Sequence, residues 1–188
     1  MNMVKKNDQI VIEIEDIGTN GEGIGKYKGY TLFVNNTIIG DKALVKVMKA
    51  GKSYGYARLV EIIRPSENRV IPRCPIADKC GGCQIMHMDY SKQLVYKEDK
   101  VRNCLERIGG FSNIPIETIC GMDEPYYYRN KSQYPVGRNK EGNVIIGFYA
   151  GRTHSIIDTE HCYIGAEINT PIIKFMRSFI EDYNIEPY

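Results

Sequence analysis

The first third of the chain alternates apolar and polar residues in short segments separated by turns. Residues 9–18 place isoleucines at alternate positions over much of their length, which is the period of a half-buried β-strand. The later segments TLFVNN, DKALVKVMKA and SYGYARLVEII also read as strands. Turns at residues 18–21 and 28–29 are predicted from the glycines Gly18, Gly21, Gly23, Gly25 and Gly29. Five short strands with tight turns predict a small closed barrel of the oligonucleotide-binding type.

The run Gly21-x-Gly23-x-Gly25 has a second interpretation, a phosphate-binding loop. A dinucleotide loop requires a following helix whose N-terminus faces the phosphates. A β-rich segment follows here instead. The sequence therefore favours glycines that serve hairpin and bulge geometry.

A helical period replaces the strand pattern after residue 89. Apolar residues recur at helical spacing, Asp89 is a candidate N-cap, and Gly109-Gly110 is a candidate stop. Cys104 lies on the apolar stripe, which predicts a buried structural thiol. Arg64-Pro65-Ser66 interrupts the strand pattern before this helix and predicts a domain boundary, with domains at residues 1–63 and 64–188.

The remaining residues mix strand and helix patterns, which predicts a partial α/β (α+β) domain. IPIETICG reads as a short strand with Cys120 in its core, and a turn at residues 139–143 predicts a hairpin. Pro171 lies in a position that the first turn of a last helix tolerates. That helix carries an apolar stripe formed by Ile168, Ile172, Phe175, Met176, Phe179 and Ile180.

The composition limits the class of protein but does not indicate a function. Of 188 residues, 43% are hydrophobic, enough for a packed core, and the net charge of +2 is too small to indicate nucleic-acid binding alone. The sequence has no signal-peptide pattern and no apolar run of membrane-span length, so we expect a cytoplasmic protein without membrane contact. In a reducing cytoplasm, six cysteines favour metal binding over disulfides.

Three cysteines form a C-x5-C-x2-C array, Cys74, Cys80 and Cys83, with Gly81-Gly82 between the last two. Thiolates select zinc or iron–sulfur clusters, and the glycines allow the backbone to fold closely around a centre. A fourth ligand must come from elsewhere, and Cys162 is a candidate. His87 could instead complete a zinc site with three cysteines and one histidine. Spacing alone favours zinc slightly over a cluster.

Two basic stretches contain tyrosines and are candidates for RNA contact. The first has no acidic residue near its cations, and its candidate residues are Lys46, Lys49, Lys52, Tyr54 and Arg58. The second contains Arg129 and Lys131 beside several tyrosines. Cations that follow phosphates and rings that stack on bases suit single strands or RNA. The first stretch is explained equally well by lysines that protect a free strand edge from aggregation. The second stretch is explained equally well by a tyrosine-rich core.

The segment from about residue 4 to 63 resembles a TRAM domain, an RNA-binding barrel module. The resemblance is carried most specifically by GEGIGKYKG, Phe33-Val34 and Gly40-Asp41 before the next strand. It implies that the barrel binds RNA.

A second resemblance starts at the cysteine array. The chain from this array onward resembles the RNA (uracil-5-)-methyltransferases of the RumA/TrmA type. The matching positions are CPIADKCGGCQIMH, Tyr90, Gln93-Leu94, Lys97 and RIGG, followed by YRNKSQYPVG and IGFYAGRTHSIIDTEHC. This resemblance implies a 4Fe-4S cluster bound by Cys74, Cys80, Cys83 and Cys162, which reverses the preference for zinc. His87 then becomes a packing or hydrogen-bonding residue.

In that family the complete protein transfers a methyl group from S-adenosylmethionine to C5 of uracil, in a C-terminal Rossmann-like domain. Neither its glycine-rich cofactor loop nor its cysteine nucleophile is found in this sequence. The resemblance therefore implies that this sequence is the N-terminal portion of such a protein, either a fragment or a truncated gene product, and that it has no catalytic residues. It also implies a monomer whose partner is RNA, most specifically 23S ribosomal RNA. The alternative is a stand-alone RNA-binding protein with structural zinc or a cluster. A relative of the radical methylthiotransferases ranks last, because their C-x3-C-x2-C motif is missing.

Overall fold

The computed structural model describes residues 4–151 and 153–187. It divides into two compact units. The first contains Met1–Ile71 and Gln84–Gly121, and the second contains Pro72–Cys83 and Met122–Tyr188. The predicted boundary after residue 63 does not coincide with this division, because the helical segment groups with the barrel and the cysteine array groups with the later residues.

The first unit is built on a closed five-stranded barrel with the strand order β1-β2-β3-β5-β4. Every neighbouring pair is antiparallel except β3 and β5, which are parallel, and β4 closes the barrel against β1. The strands are β1 (Gln9–Ile17), β2 (Gly23–Tyr27), β3 (Tyr30–Val34), β4 (Lys42–Ala50) and β5 (Tyr54–Arg64). The predicted barrel and its strand segments are confirmed.

The alternation of residue types along the strands explains the barrel. Residues at alternate positions of β1, β3 and β4 point inward and are almost completely buried, including Ile12, Leu32 and Val45. Gly23 and Gly25 lie inside β2, where a Cβ on Gly25 would be only 2.4 Å from the Glu13 carbonyl oxygen of β1. The glycines thus allow close approach of two strands, and the phosphate-loop interpretation is wrong.

One helix accompanies the barrel in the first unit. Helix α1 (Tyr90–Asn103) starts at Asp89, whose carboxylate accepts a hydrogen bond from the Ser91 amide, and it continues as a π-helical turn over Cys104–Ile108. Gly109 caps that turn, so the predicted start and stop are confirmed. The helix is held to the β1–β2 turn by the Tyr96 hydroxyl, which donates to the Gly18 carbonyl over 2.7 Å.

Three predictions about this region are wrong. Cys104 and Cys120 are exposed, and the IPIETICG segment forms no strand. Cys104 and Ile108 line a cavity of about 550 Å³ between the helical segment and the barrel, so Cys104 faces an open space. The helical period does not tell how completely a neighbouring element covers the apolar residues.

The second unit combines a small sheet with one helix. It contains β6 (Val136–Arg138), β7 (Val144–Tyr149) and β8 (Ile156–Asp158), all antiparallel, and α2 (Asn169–Asp182). The predicted hairpin is confirmed as β6 and β7, and Pro171 lies in the first turn of α2. Their small core is formed by Val144, Ile146, Ile173 and Ile180.

The apolar stripe predicted for α2 packs only partly within the chain. Ile180 is buried, whereas Ile172 and Phe175 are 51% and 66% exposed. Ile173, outside the predicted stripe, is buried instead. The small sheet covers one side of the helix, and the stacked rings of Phe175, Phe179 and Tyr183 remain at the surface.

Candidate functional site

Three aromatic rings form a cluster on the outer face of the barrel. Phe33 of β3 lies opposite Tyr56 of β5, with ring centroids 5.5 Å apart, and Tyr54 meets both rings edge-on at 5.7 and 5.9 Å. Tyr54 is 49% exposed. Alternate positions of neighbouring strands share one face of a sheet, which explains why residues from separate segments meet here.

Cations from β4 and β5 border this aromatic cluster. Lys46 is the register partner of Arg58, and Lys49 is the partner of Tyr56. None of Lys46, Lys49, Lys52 and Arg58 forms an ion pair within residues 4–151 and 153–187. β4 is hydrogen-bonded on both sides, to β1 and β5, so its lysines do not protect a free strand edge. That alternative explanation is wrong.

The three cysteines of the array lie in a sequence of tight turns within the second unit. The amides of Ala77 and Cys80 donate to the carbonyls of Cys74 and Ile76, which curls the backbone. The Gly82 amide points at the Cys80 sulfur over 3.4 Å. Gly81 approaches β7 so closely that a Cβ would lie 2.8 Å from the Tyr149 carbonyl oxygen. Glycine is therefore required at that position by the backbone contact with β7.

Cys162, far away in sequence, joins these cysteines. Burial, with smaller contributions from the charges of Cys80, Cys162 and Cys74, raises the pKa of Cys83 to about 11. Burial also raises the pKa of Cys74, with Cys80 and Cys162 contributing. These mutual effects require that the four thiols are neighbours.

The donor set suits thiolate-binding metals by its chemistry. Among the described residues, no three His, Cys, Asp or Glu side chains converge closely enough to hold a single metal ion. The Gly82 amide directed at the Cys80 sulfur would stabilise a metal-bound thiolate. The cysteine residues thus fit an iron–sulfur cluster in kind and number.

His87 and the other two cysteines take no part in this group. His87 belongs to the first unit and is buried, and the Thr37 carbonyl accepts its hydrogen bond, while its Nε2 atom is unpartnered within the described residues. The charges that affect the pKa of His87 are those of Arg69 and Asp41, and no cysteine is among them. This agrees with the hydrogen-bonding role that the resemblance implies.

Arg73 makes an aromatic clamp that the sequence did not predict. Its guanidinium lies over the rings of Tyr126, Tyr127 and Tyr163, at 4.8, 5.4 and 5.4 Å from their centroids. Arg73 directly precedes Cys74, and Tyr163 directly follows Cys162. The clamp therefore joins the two segments that carry the cysteines without using the cysteines themselves.

The second basic stretch divides between two environments. The guanidinium of Arg129 lies beside the cysteine array, with Nη1 at 3.7 Å from the position of a Cβ on Gly82, and its charge acts on Cys83. Lys131 is exposed. The role of both residues in RNA binding stays a prediction.

No helix in the part of the chain that the structure describes is both long and apolar enough to cross a membrane.

Comparison with known proteins agrees with this architecture. Residues 4–60 match the TRAM domain family. An uncharacterised RNA methyltransferase of Clostridium tetani is 46% identical over 185 residues, which cover 98% of this chain and 40% of the relative. Another, from Clostridium acetobutylicum, is 43% identical over 187 residues, with the same 98% and 40% covered.

A solved structure has the same fold over nearly the whole chain. The tRNA (uracil-54, C5)-methyltransferase of Pyrococcus abyssi, in complex with S-adenosyl-L-homocysteine, superposes with a TM-score of 0.64 and 25% identity. The match covers 94% of this chain and 38% of that protein. The chain spans about 40% of the length of the relatives that it matches. It carries a TRAM domain, and over nearly its whole length it is similar to a part of proteins named RNA methyltransferase and of a solved tRNA (uracil-54, C5)-methyltransferase.

Proposed function

We propose that this chain is the RNA-binding and 4Fe-4S cluster-bearing portion of an RNA (uracil-5-)-methyltransferase. In the complete protein, a methyl group passes from S-adenosylmethionine to C5 of a uracil, and 23S ribosomal RNA is the substrate. The observation that carries the proposal is the outer face of the barrel. There, three clustered aromatic rings and unpaired cations lie on a domain of the RNA-binding TRAM type.

This face has the two features that single-stranded RNA requires. Exposed rings such as Tyr54 offer stacking surfaces to unpaired bases, and the adjoining Lys46 and Arg58 offer charge to the phosphates. Because these cations have no acidic partner in the described chain, RNA binding would not have to break an ion pair first.

The cluster is the second part of the proposal. Cys74, Cys80, Cys83 and Cys162 would each supply one thiolate to a four-iron cluster, so they need not converge on a single ion. When bound, the cluster ties the cysteine array to the segment around Cys162. The charges of Cys80 and Cys162 contribute to the raised pKa values of Cys74 and Cys83, which supports this ligand set.

Methyl transfer belongs to the rest of the longer protein. C5 of uracil becomes a nucleophile only after a thiolate has added to C6, which requires a cysteine nucleophile and a base. The proposal assigns neither role to this chain. The 188-residue chain is accordingly expected to bind RNA but not to methylate it.

The test compares RNA binding and methylation. Fragments of 23S ribosomal RNA and a tRNA transcript are titrated against the chain at several salt concentrations, and the longer protein is assayed with labelled S-adenosylmethionine on the same RNAs. We expect salt-dependent binding by the chain, no methyl transfer by it, and methylation of ribosomal RNA by the longer protein. Methylation by the 188-residue chain alone would contradict the assignment, and exclusive methylation of tRNA would correct the substrate.

A further inference from the structure

The hydroxyl of Tyr134 is buried and has no hydrogen-bond partner within the described residues. The ring itself has a packing role, because it lies 4.8 Å from the ring of Phe148 and contacts the small core of the second unit. A phenylalanine would serve that role equally well. A buried hydroxyl without a partner is unfavourable, so it requires a separate explanation.

The hydroxyl lies beside Cys162. A Cβ on Gly165 would be 3.4 Å from the Tyr134 hydroxyl oxygen and 3.5 Å from Cys162 Cβ, so both groups border the same small space. Ser132 and Asn169 lie close enough to the hydroxyl to oppose the rise of its pKa, but neither has the geometry of a hydrogen bond with it in the described residues. Cys162 is the group in this space whose acceptor strength would change greatly on metal binding.

We propose that Tyr134 is a positioning residue whose hydroxyl donates an O–H···S hydrogen bond to the Cys162 sulfur when that sulfur is a cluster ligand. The inference rests on the proposed cluster. A protonated thiol is a weak acceptor, whereas a metal-bound thiolate is a strong one, so the hydroxyl would gain a partner when Cys162 binds the cluster.

The electrostatics of the site keep Tyr134 a donor. Burial raises the pKa of its phenol, and the nearby charge of Cys162 raises it further. The hydroxyl therefore retains its proton beside a thiolate. A hydrogen bond to a ligand sulfur stabilises the more negative, reduced form of a cluster and fixes the orientation of the ligand.

The first test is Tyr134→Phe in the 188-residue chain, purified without oxygen. The variant retains the ring and is expected to take up iron and sulfide like the wild type. We expect its cluster to have a more negative reduction potential and to lose iron to a chelator roughly tenfold faster. Tyr126→Phe is the matched control, because Tyr126 contacts Arg73 only through its ring, and it should leave both quantities unchanged.

Gly165→Ala is an independent second variant. Its methyl group would meet Tyr134 and Cys162 at ordinary contact distances, so the chain should fold, but the methyl occupies the space that the two groups share. We expect the same direction of change in potential and in iron loss. Thermal unfolding of the metal-free variants separates these effects from a general loss of stability.

The outcomes distinguish this inference from the proposed function. If the wild-type chain holds a cluster and both variants match it in potential and iron loss, the hydrogen bond is refuted and the cluster stands. If the wild-type chain purified without oxygen contains no iron and sulfide, both the hydrogen bond and the proposed cluster are refuted.

Discussion

Arg69 forms a bidentate ion pair with the fully buried carboxylate of Asp41, with Nη2 at 2.6 Å and Nε at 3.0 Å from its oxygens. The same carboxylate accepts hydrogen bonds from the amides of Ile38 and Ser66. Burial alone would raise the pKa of Asp41, but Arg69 and these amides outweigh burial and lower it below 3.8. The pair thereby fastens the segment after β5 to the turn before β4.

Replacement of Arg69 by Met should destabilise the protein strongly. The substitution leaves a buried carboxylate without its cation, which typically costs about 3–5 kcal/mol. The free energy of unfolding from urea titration measures the loss. Arg64→Met is the matched control, because the Arg64–Glu13 pair is well exposed and should contribute less than about 1 kcal/mol. Equal effects of the two substitutions would contradict the structural role of Asp41.

His87 should make the stability of the protein depend on pH below neutrality. Burial and then the Arg69 cation lower the pKa of His87 below its ordinary 6.5, despite opposing effects of Thr37 and Asp41. Between 6.5 and the lowered value, the unfolded chain binds more protons than the folded chain. The free energy of unfolding therefore falls as pH decreases through this window, by at most about 1.4 kcal/mol per pH unit.

Urea titrations at about pH 7.5 and about pH 5.5 measure this dependence. His87→Gln should reduce the difference between the two values, whereas His154→Gln, at an exposed position, should not. If both substitutions left the dependence on pH unchanged, some other group would be responsible.

The barrel face makes separable contributions to RNA binding. Tyr54→Ala should weaken binding by about 1–3 kcal/mol, because a base loses its stacking surface. Lys46→Ala should weaken binding to all sequences alike and reduce the dependence of log K on log salt by about 1. Filter binding at several salt concentrations measures both. Lys174→Ala, in α2 and paired with Glu160, is the control, and a comparable loss there would argue against a specific face.

The aromatic clamp should matter for retention of the cluster. Arg73→Ala removes three cation–π contacts and should lower the free energy of unfolding of the metal-free chain by roughly 1–2 kcal/mol. Because the clamp holds the segments of Cys74 and Cys162 together, iron loss should also accelerate. Arg107→Ala, at an exposed position, should change neither quantity. An unchanged rate of iron loss in Arg73→Ala would show that the aromatic clamp does not help to retain the cluster.

Local patterns sufficed for the barrel but not for several side-chain environments. The alternation in β1 and the glycine turns determine strands within a few residues, so β1 to β5 could be predicted. The burial of Cys104 was mispredicted because a helical period shows which residues share one face of a helix. It does not show whether another element packs against that face. The Arg69–Asp41 pair and the Arg73–Tyr163 contact join residues distant in sequence. No spacing rule anticipates such pairs, although the arginine next to the first cysteine was visible.

The composition of the metal centre decides whether the four cysteines hold an iron–sulfur cluster. The 188-residue chain is purified without oxygen, and iron, acid-labile sulfide and zinc are determined for the wild type, Cys162→Ser and Cys120→Ser. We expect iron and sulfide in equal amounts, about four of each per chain, in the wild type and in Cys120→Ser, and a marked loss of both in Cys162→Ser. One equivalent of zinc without sulfide, or an unchanged content in Cys162→Ser, would contradict this expectation.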